Sequence, residues 1–212
     1  MAITFPLTLP STPAIQSARV TPVSVVAASR SPFTLDRQIQ VHQGKQWFLE
    51  LEWPTMSRPE AEPFLAVKTA LNGKEGSFLY GDPSWATPLG AAKDTPGTPL
   101  IAGASQTGQD INFDGAPFNT TDYLKAGDMV SLGTGLGTRL FKVLVDASSD
   151  GAGLFTLTLW PDVVVALANN APLAVSSAQG LFELSDNAGS WGVDSSLVGG
   201  AYSLGLEAVS VI

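Results

Sequence analysis

Residues 124–161, LKAGDMVSLGTGLGTRLFKVLVDASSDGAGLFTLTLWP, carry three apolar runs separated by two turn-rich breaks and read as a three-stranded β-meander. No other segment constrains the fold as much. A small antiparallel sheet has an apolar face that must be covered by further strands or a second layer. The meander lies mid-chain, and the two ends carry different β-patterns. That arrangement predicts a compact β-module inserted into a second β-domain.

The flanks supply the strands of that second domain. Residues 36–53 read as a hairpin, with Ile39 and Val41 alternating before a turn at Gly44, and Trp47, Leu49, Leu51 and Trp53 at period two after it. All six apolar side chains are expected on one buried face. Residues 59–71 have the only convincing helical pattern. Ser57 and Glu60 have the spacing of a capping box, Pro63 lies inside, and Asn72-Gly73 supplies a left-handed stop. A short strand with Phe78 and Tyr80 on one side follows. Residues 85–99, rich in Pro, Gly, Thr and Ala, mark a domain boundary. Further strands are expected at 100–102 and 110–113. In the tail, Trp191 and Val193 alternate, then Tyr202, Leu204, Leu206 and Ala208. These strands should pair with the N-terminal ones, because a hairpin and one helix cannot cover their own apolar face.

The expected fold is therefore mostly β. A β-sandwich domain with one α-helix (1–90 together with 178–212) is interrupted by a small barrel-like module (91–177).

Composition narrows the function classes. Of 212 residues, 44% are hydrophobic and only 14% charged, against about 25% charged in an ordinary soluble domain. Neighbouring subunits that cover part of the surface would make so sparse a charge count tolerable. Eleven basic against 19 acidic residues give a net charge of -8, with no Lys/Arg cluster. Specific nucleic-acid binding, which depends on neutralising phosphates, is not expected. Cysteine is absent, so no disulfide frame or thiolate site can form. The N-terminus lacks a basic leader and is interrupted by Pro6, Pro10 and Pro13, so it does not read as a signal peptide. No apolar run reaches the roughly 20 residues needed to span a bilayer, and membrane insertion is not expected.

Reactive groups are few. His42 is the only histidine and falls on the polar side of its strand; there is no Gly-x-Ser-x-Gly elbow to partner it and no ligand set for zinc. The run Gly133-Thr134-Gly135-Leu136-Gly137 looks like a phosphate-cradling loop but leads into a strand, where a hairpin turn is the better reading. Asp146, Asp150 and Asp162 flank the last meander strand, and Asp186 and Asp194 flank the Trp191 strand. Carboxylate pairs can hydrolyse glycosides, yet aspartates in turns mostly close the turn. The Asn119-Thr120-Thr121 sequon reads as a loop. Among the five tryptophans, Trp47, Trp53 and Trp191 alternate with apolar neighbours as core residues do. Trp160 is out of phase with Phe155, Leu157 and Leu159, and Trp85 stands in a loop, which makes these two the external-contact candidates.

Four stretches together carry a resemblance. They are Ser31-Pro32-Phe33-Thr34, the run from Trp47 to Pro54, the run from Leu71 to Phe78 with Asp82-Pro83, and the LKAGD…TRLFKV…LTLWP meander. The chain resembles distal tail or tail-tip proteins of long-tailed bacteriophages. The resemblance implies a β-sandwich belt that assembles as a homohexameric ring below the tail tube. An outer module similar to an oligosaccharide-binding or galectin-like barrel would project from it, and DNA would pass through the ring. Partners would be copies of the chain, the tail tube protein and the tail hub or other tip proteins, in a virion assembled in the host cytoplasm. The role is structural, not enzymatic, with no cofactor or metal. Ile3, Phe5, Leu7 and Leu9 form a strand that could reach a neighbouring subunit, with Phe33 and Trp53 near the same contact. A carbohydrate-binding adhesion module and a glycan hydrolase are the competing classes.

Overall fold

The two alternating runs on either side of Gly44 belong to one long strand, Arg37–Glu52, with a bulge between them. The computed structural model describes residues 3–195 and 200–211 of a chain that is mostly β with one α-helix. In order, its first part holds β1 (Leu7–Thr8), β2 (Ser17–Arg30), β3 (Arg37–Glu52), α1 (Arg58–Ala70) and β4 (Ser77–Tyr80). Next come β5 (Leu100–Ile101), β6 (Gln106–Asp114), β7 (Met129–Leu132), β8 (Arg139–Val143), β9 (Phe155–Leu167) and β10 (Leu173–Ala174). The chain closes with β11 (Gly180–Leu184), β12 (Gly192–Asp194), β13 (Ala201–Ser203) and β14 (Gly205–Ser210).

Strands from both ends share one sheet, ordered β1-β4-β11-β14-β3-β2. The tail pairs with the N-terminal strands: Ala208 stands opposite Leu49 and Leu206 opposite Leu51. Period two places Trp47, Leu49 and Leu51 on the face that is buried with Phe78, Phe182 and Leu206. Helix α1 packs over this face together with Tyr202 of β13, which pairs with β12 and is bridged to Met56. Helix α1 presents Ala61, Phe64 and Leu65 inward. At its start the Ser57 amide and hydroxyl both donate to the Glu60 carboxylate, at 2.9 and 2.7 Å. The helix ends before Asn72 and Gly73, both left-handed.

Between β4 and β11 the chain builds a second sheet, β10-β7-β8-β9-β6-β5. The β7-β8-β9 meander is its centre, with Gly133–Gly137 as a hairpin loop. Its ends nearly meet. Ile101 N donates to Ala171 O and Leu173 N to Pro99 O, both at 3.0 Å, so the sheet is barrel-like around its own core of Ile111, Phe113, Tyr123, Leu157 and Leu159.

The two sheets touch through β3 and the barrel wall. Trp47 is 4% exposed. Its Nε1 donates to Leu140 O at 3.0 Å, and its ring meets Trp160 edge-on with centroids 4.2 Å apart. Beside it, Lys45 Nζ spans both Asp162 oxygens at 2.8 and 2.9 Å. A Cβ on Gly180 would come within 2.9 Å of Leu140 Cβ, so glycine there permits the close approach of β11 to β8.

Two sequence expectations change. Gly44 is not a turn; it lies inside β3 in a bulge, where His42, Gln43 and Gly44 stand against Val25 alone and a Cβ on Gly44 would come 2.9 Å from Val25 Cγ2. The hairpin turn falls instead at residues 31–36, where Ser31 Oγ accepts from the Phe33 and Thr34 amides. Ile39 and Val41 remain in phase with Trp47 but are exposed, because this end of β3 runs past the rest of the sheet.

These packing differences predict a sharp contrast in urea unfolding. Trp47→Ala should lower stability by about 3–5 kcal/mol, while Phe33→Ala at the exposed hairpin end should stay within about 0.5 kcal/mol of wild type.

Candidate interaction surfaces: an apolar arm and an acidic cleft

Strand β14 accompanies β3 only as far as Phe48. Beyond that point β2 and β3 continue as a two-stranded ribbon for roughly 30 Å, taking ~3.3 Å per residue. Such a ribbon is marginal in water without a partner layer. This one displays Val23, Val25, Val26, Ile39 and Val41, all exposed. At its tip Phe33 is 93% exposed, and Leu35 is held at a left-handed φ of 61°. The Arg30 Nε donates to Leu35 O at 3.1 Å and braces the turn. Arg30 and Arg37 stand directly opposite each other in the strand register, an arrangement of like charges that a β-ladder disfavours on its own. Both line a hollow at the tip, with Ala28, Ser29 and Leu35.

The charge of the arm differs from that of the body. Residues 22–44 contain two of the 11 basic and one of the 19 acidic residues, which leaves 9 basic against 18 acidic elsewhere.

At the far end of β3 the opposite pattern appears. Glu50 faces Glu207 across β3 and β14, again like charges in register, with Arg19 of β2 on the other side of Glu50 at 3.7 Å. Together with Glu52 and Asp186 these carboxylates rim a cleft of about 820 Å³, along which Trp191 also lies. Lys68 reaches in from α1, but its ammonium donates to Ser190 O at 2.8 Å and Gly205 O at 2.7 Å. Burial lowers the Lys68 pKa and Glu207 pulls it partly back. Trp53 also lines the cleft. It is 5% exposed, and its Nε1 has no hydrogen-bond partner among the described residues.

A third feature is a groove of about 370 Å³ between the two sheets, with Trp85, Trp160, Met129, Lys142 and Leu144 around it. Trp85 Nε1 donates to Ala178 O at 3.1 Å, and its ring packs edge-on to Tyr80. Asp82 positions this segment, accepting from Ser84 N at 2.7 Å and from the Tyr80 hydroxyl at 2.9 Å.

The candidate residues therefore part company. Trp53 is core, packed on Phe64 with centroids 5.2 Å apart, because it caps the buried row of β3; it is not a surface contact. Leu7 pairs with Phe78 of its own chain as β1 adds parallel to β4, and Phe5 lies over Gly76. The N-terminal strand thus completes its own sheet, with Phe5, Leu7 and Leu9 half-buried and only Ile3 exposed. Phe33 is fully presented. Trp160 turns inward onto Trp47, while Trp191, expected in the core, is 47% exposed.

His42 is exposed on the arm. The aspartates close turns or bind across the sheets: Asp146 accepts from Ala126 N, Asp186 from Asn187 N, and Asp162 takes Lys45. The Leu154 and Ala152 amides hold the Asp150 carboxyl below its usual pKa. Among the described residues no cluster of three or more His, Cys, Asp or Glu is arranged to hold a metal.

The sequence reading missed Arg30, Arg37 and the Glu50–Glu207 opposition. The first two had a signal, since Ser31-Pro32 and Asp36 are turn formers between two alternating runs. The carboxylate pair had none, because its members are 157 positions apart and meet only through strand register.

No protein-family model matches the chain, and no curated protein matches it either.

A pH test follows from Asp82. Burial pushes its carboxyl up, but the Ser84 and Tyr80 hydrogen bonds outweigh that and leave it below the usual carboxylate value. A depressed pKa contributes stability above the unfolded value of about 4, and that contribution is lost as pH falls through the folded one. Asp82→Ala should therefore cost about 1 kcal/mol at pH 7, as for a lost side-chain cap. In urea titrations the gap to wild type should close below about pH 4.

Proposed function

We propose that this protein is a structural component of a bacteriophage tail tip, a distal tail protein whose copies form a ring that joins the tail tube to the tip apparatus. The observation that supports this reading is the β2–β3 arm. It exposes Val25, Val26, Ile39, Val41 and Phe33 well away from either core of its own chain. Contiguous apolar surface on a two-stranded ribbon is an association hazard unless a partner covers it. Repeated head-to-tail contact between identical copies provides such cover and closes into a ring when the rotation per copy permits. The number six comes from the resemblance to distal tail proteins. A net charge of -8 fits a lumen that does not retain DNA. The tail tube and the tip hub would lie above and below the ring.

Native mass spectrometry of the full chain tests the reading. The expected mass is six times the 22.1 kDa protomer. The double substitution Ile39→Ser/Val41→Ser should shift the population toward monomer while the far-UV circular dichroism stays that of the folded chain, as expected for exposed positions. Deleting the first ten residues is a poorer probe, because β1 belongs to its own sheet. A chain that stays monomeric at every concentration and binds a defined sugar on a glycan array would replace the ring with an adhesion module.

A further inference from the structure

The arm tip and the acidic cleft are complementary in chemistry yet cannot meet within one molecule. We infer that the β2–β3 arm tip of one copy, through Arg30, Arg37 and Phe33, docks in the Glu50–Glu207 cleft of a second copy. The inference rests on the ring reading and names the contact that makes the ring.

Distance excludes the intramolecular alternative. Arg37 and Glu50 are 13 residues apart on the same continuous strand, about 40 Å at ~3.3 Å per residue. The strand remains continuous through its bulge, so the tip stays far from its own base. A neighbouring copy, displaced along the arm, brings its cleft to the tip.

Charge selects the partner surface. Each side holds like charges in direct cross-strand register, Arg30 with Arg37 and Glu50 with Glu207. Arg19 on Glu50 and Lys68 near Glu207 offset part of the acidic opposition, and Glu52 and Asp186 keep the cleft rim net acidic, so the basic tip complements it. Arginine suits this role because its planar fork can take a carboxylate through two hydrogen bonds. With 18 of the 19 carboxylates lying outside residues 22–44, the second copy is itself the complementary acidic partner.

Shape and polarity agree. Phe33 stands clear of the tip at 93% exposure, and the cleft of about 820 Å³ offers Trp191 as an aromatic neighbour. The contact is heterologous, tip to cleft, so every copy uses both surfaces once around a closed ring.

The test is a charge swap on the full-length chain, read by sedimentation velocity and native mass, with circular dichroism to confirm folding. Variant one carries Arg30→Glu/Arg37→Glu, so its arm and its cleft are both acidic. Variant two carries Glu50→Arg/Glu207→Arg, so both surfaces are basic. Each alone places like charges at every contact, and the protein concentration for half-assembly should rise roughly a hundredfold or more. Mixed in equal amounts, the two should reassemble with strict alternation, because each arm now finds an opposite cleft. Raising salt from 0.05 to 0.5 M, as a rough span across which screening becomes strong, should weaken the wild-type assembly.

Oligomers that persist in both variants would overturn the tip-to-cleft contact while leaving the ring reading intact. Loss of assembly in each variant without rescue on mixing would also overturn it, assigning those charges to another surface. A wild-type chain that never assembles would overturn both readings.

Discussion

The structure depends on one indole. Trp47 sits where the N-terminal sheet meets the barrel, and it contacts both through different atoms. Its Nε1 donates to Leu140 O in β8, its ring edge meets Trp160 in β9, and its backbone amide donates to Ser210 Oγ in β14. A side chain this large, buried and with its polar group satisfied, contributes more than its neighbours to holding two layers at a fixed orientation. The Lys45–Asp162 pair beside it adds direction more than stability, since desolvation offsets much of the Coulombic gain of a half-buried ion pair.

From that point β3 does two things. Toward Glu52 it is a central strand, flanked by β14 and β2 and covered by α1, with Leu49 and Leu51 fully buried. Past Lys45, toward Arg37, its pairing partner is β2, and Ile39 and Val41, in phase with the core row, face solvent. The physical chemistry of the residues does not change along the strand; the availability of covering layers does. An apolar row built in phase with the core but extended beyond it is a surface prepared for another molecule, and its basic tip on an otherwise acidic chain narrows what that molecule can be.

Much of the architecture was legible in residue order. The capping box at Ser57 and Glu60, the left-handed stop at Asn72 and Gly73 and the Gly-rich loop of the meander follow from rules that operate over a few residues, and the return of the tail to the first sheet follows from an apolar face that one hairpin and one helix cannot cover. Period-two patterning also placed Ile39 and Val41 on the face of Trp47. It could not say that they would be bare, because burial depends on which strands lie alongside. Gly44 misled for a related reason. A glycine in an alternating run marks either a turn or a bulge, and only the partner strand, with Val25 pressed against that position, distinguishes them.

The β class, helix α1 and the strands of the two sheets were readable in residue order, since these rest on periodicity and on turn and cap chemistry carried by neighbouring residues. Tertiary structure alone decided the rest. Trp53 became core and Trp191 surface although both alternate with apolar neighbours, Trp160 turned inward to Trp47, and Glu50 was set against Glu207. Each of these outcomes is a matter of register and layer coverage between segments far apart in the chain, and those are set by the whole fold closing at once.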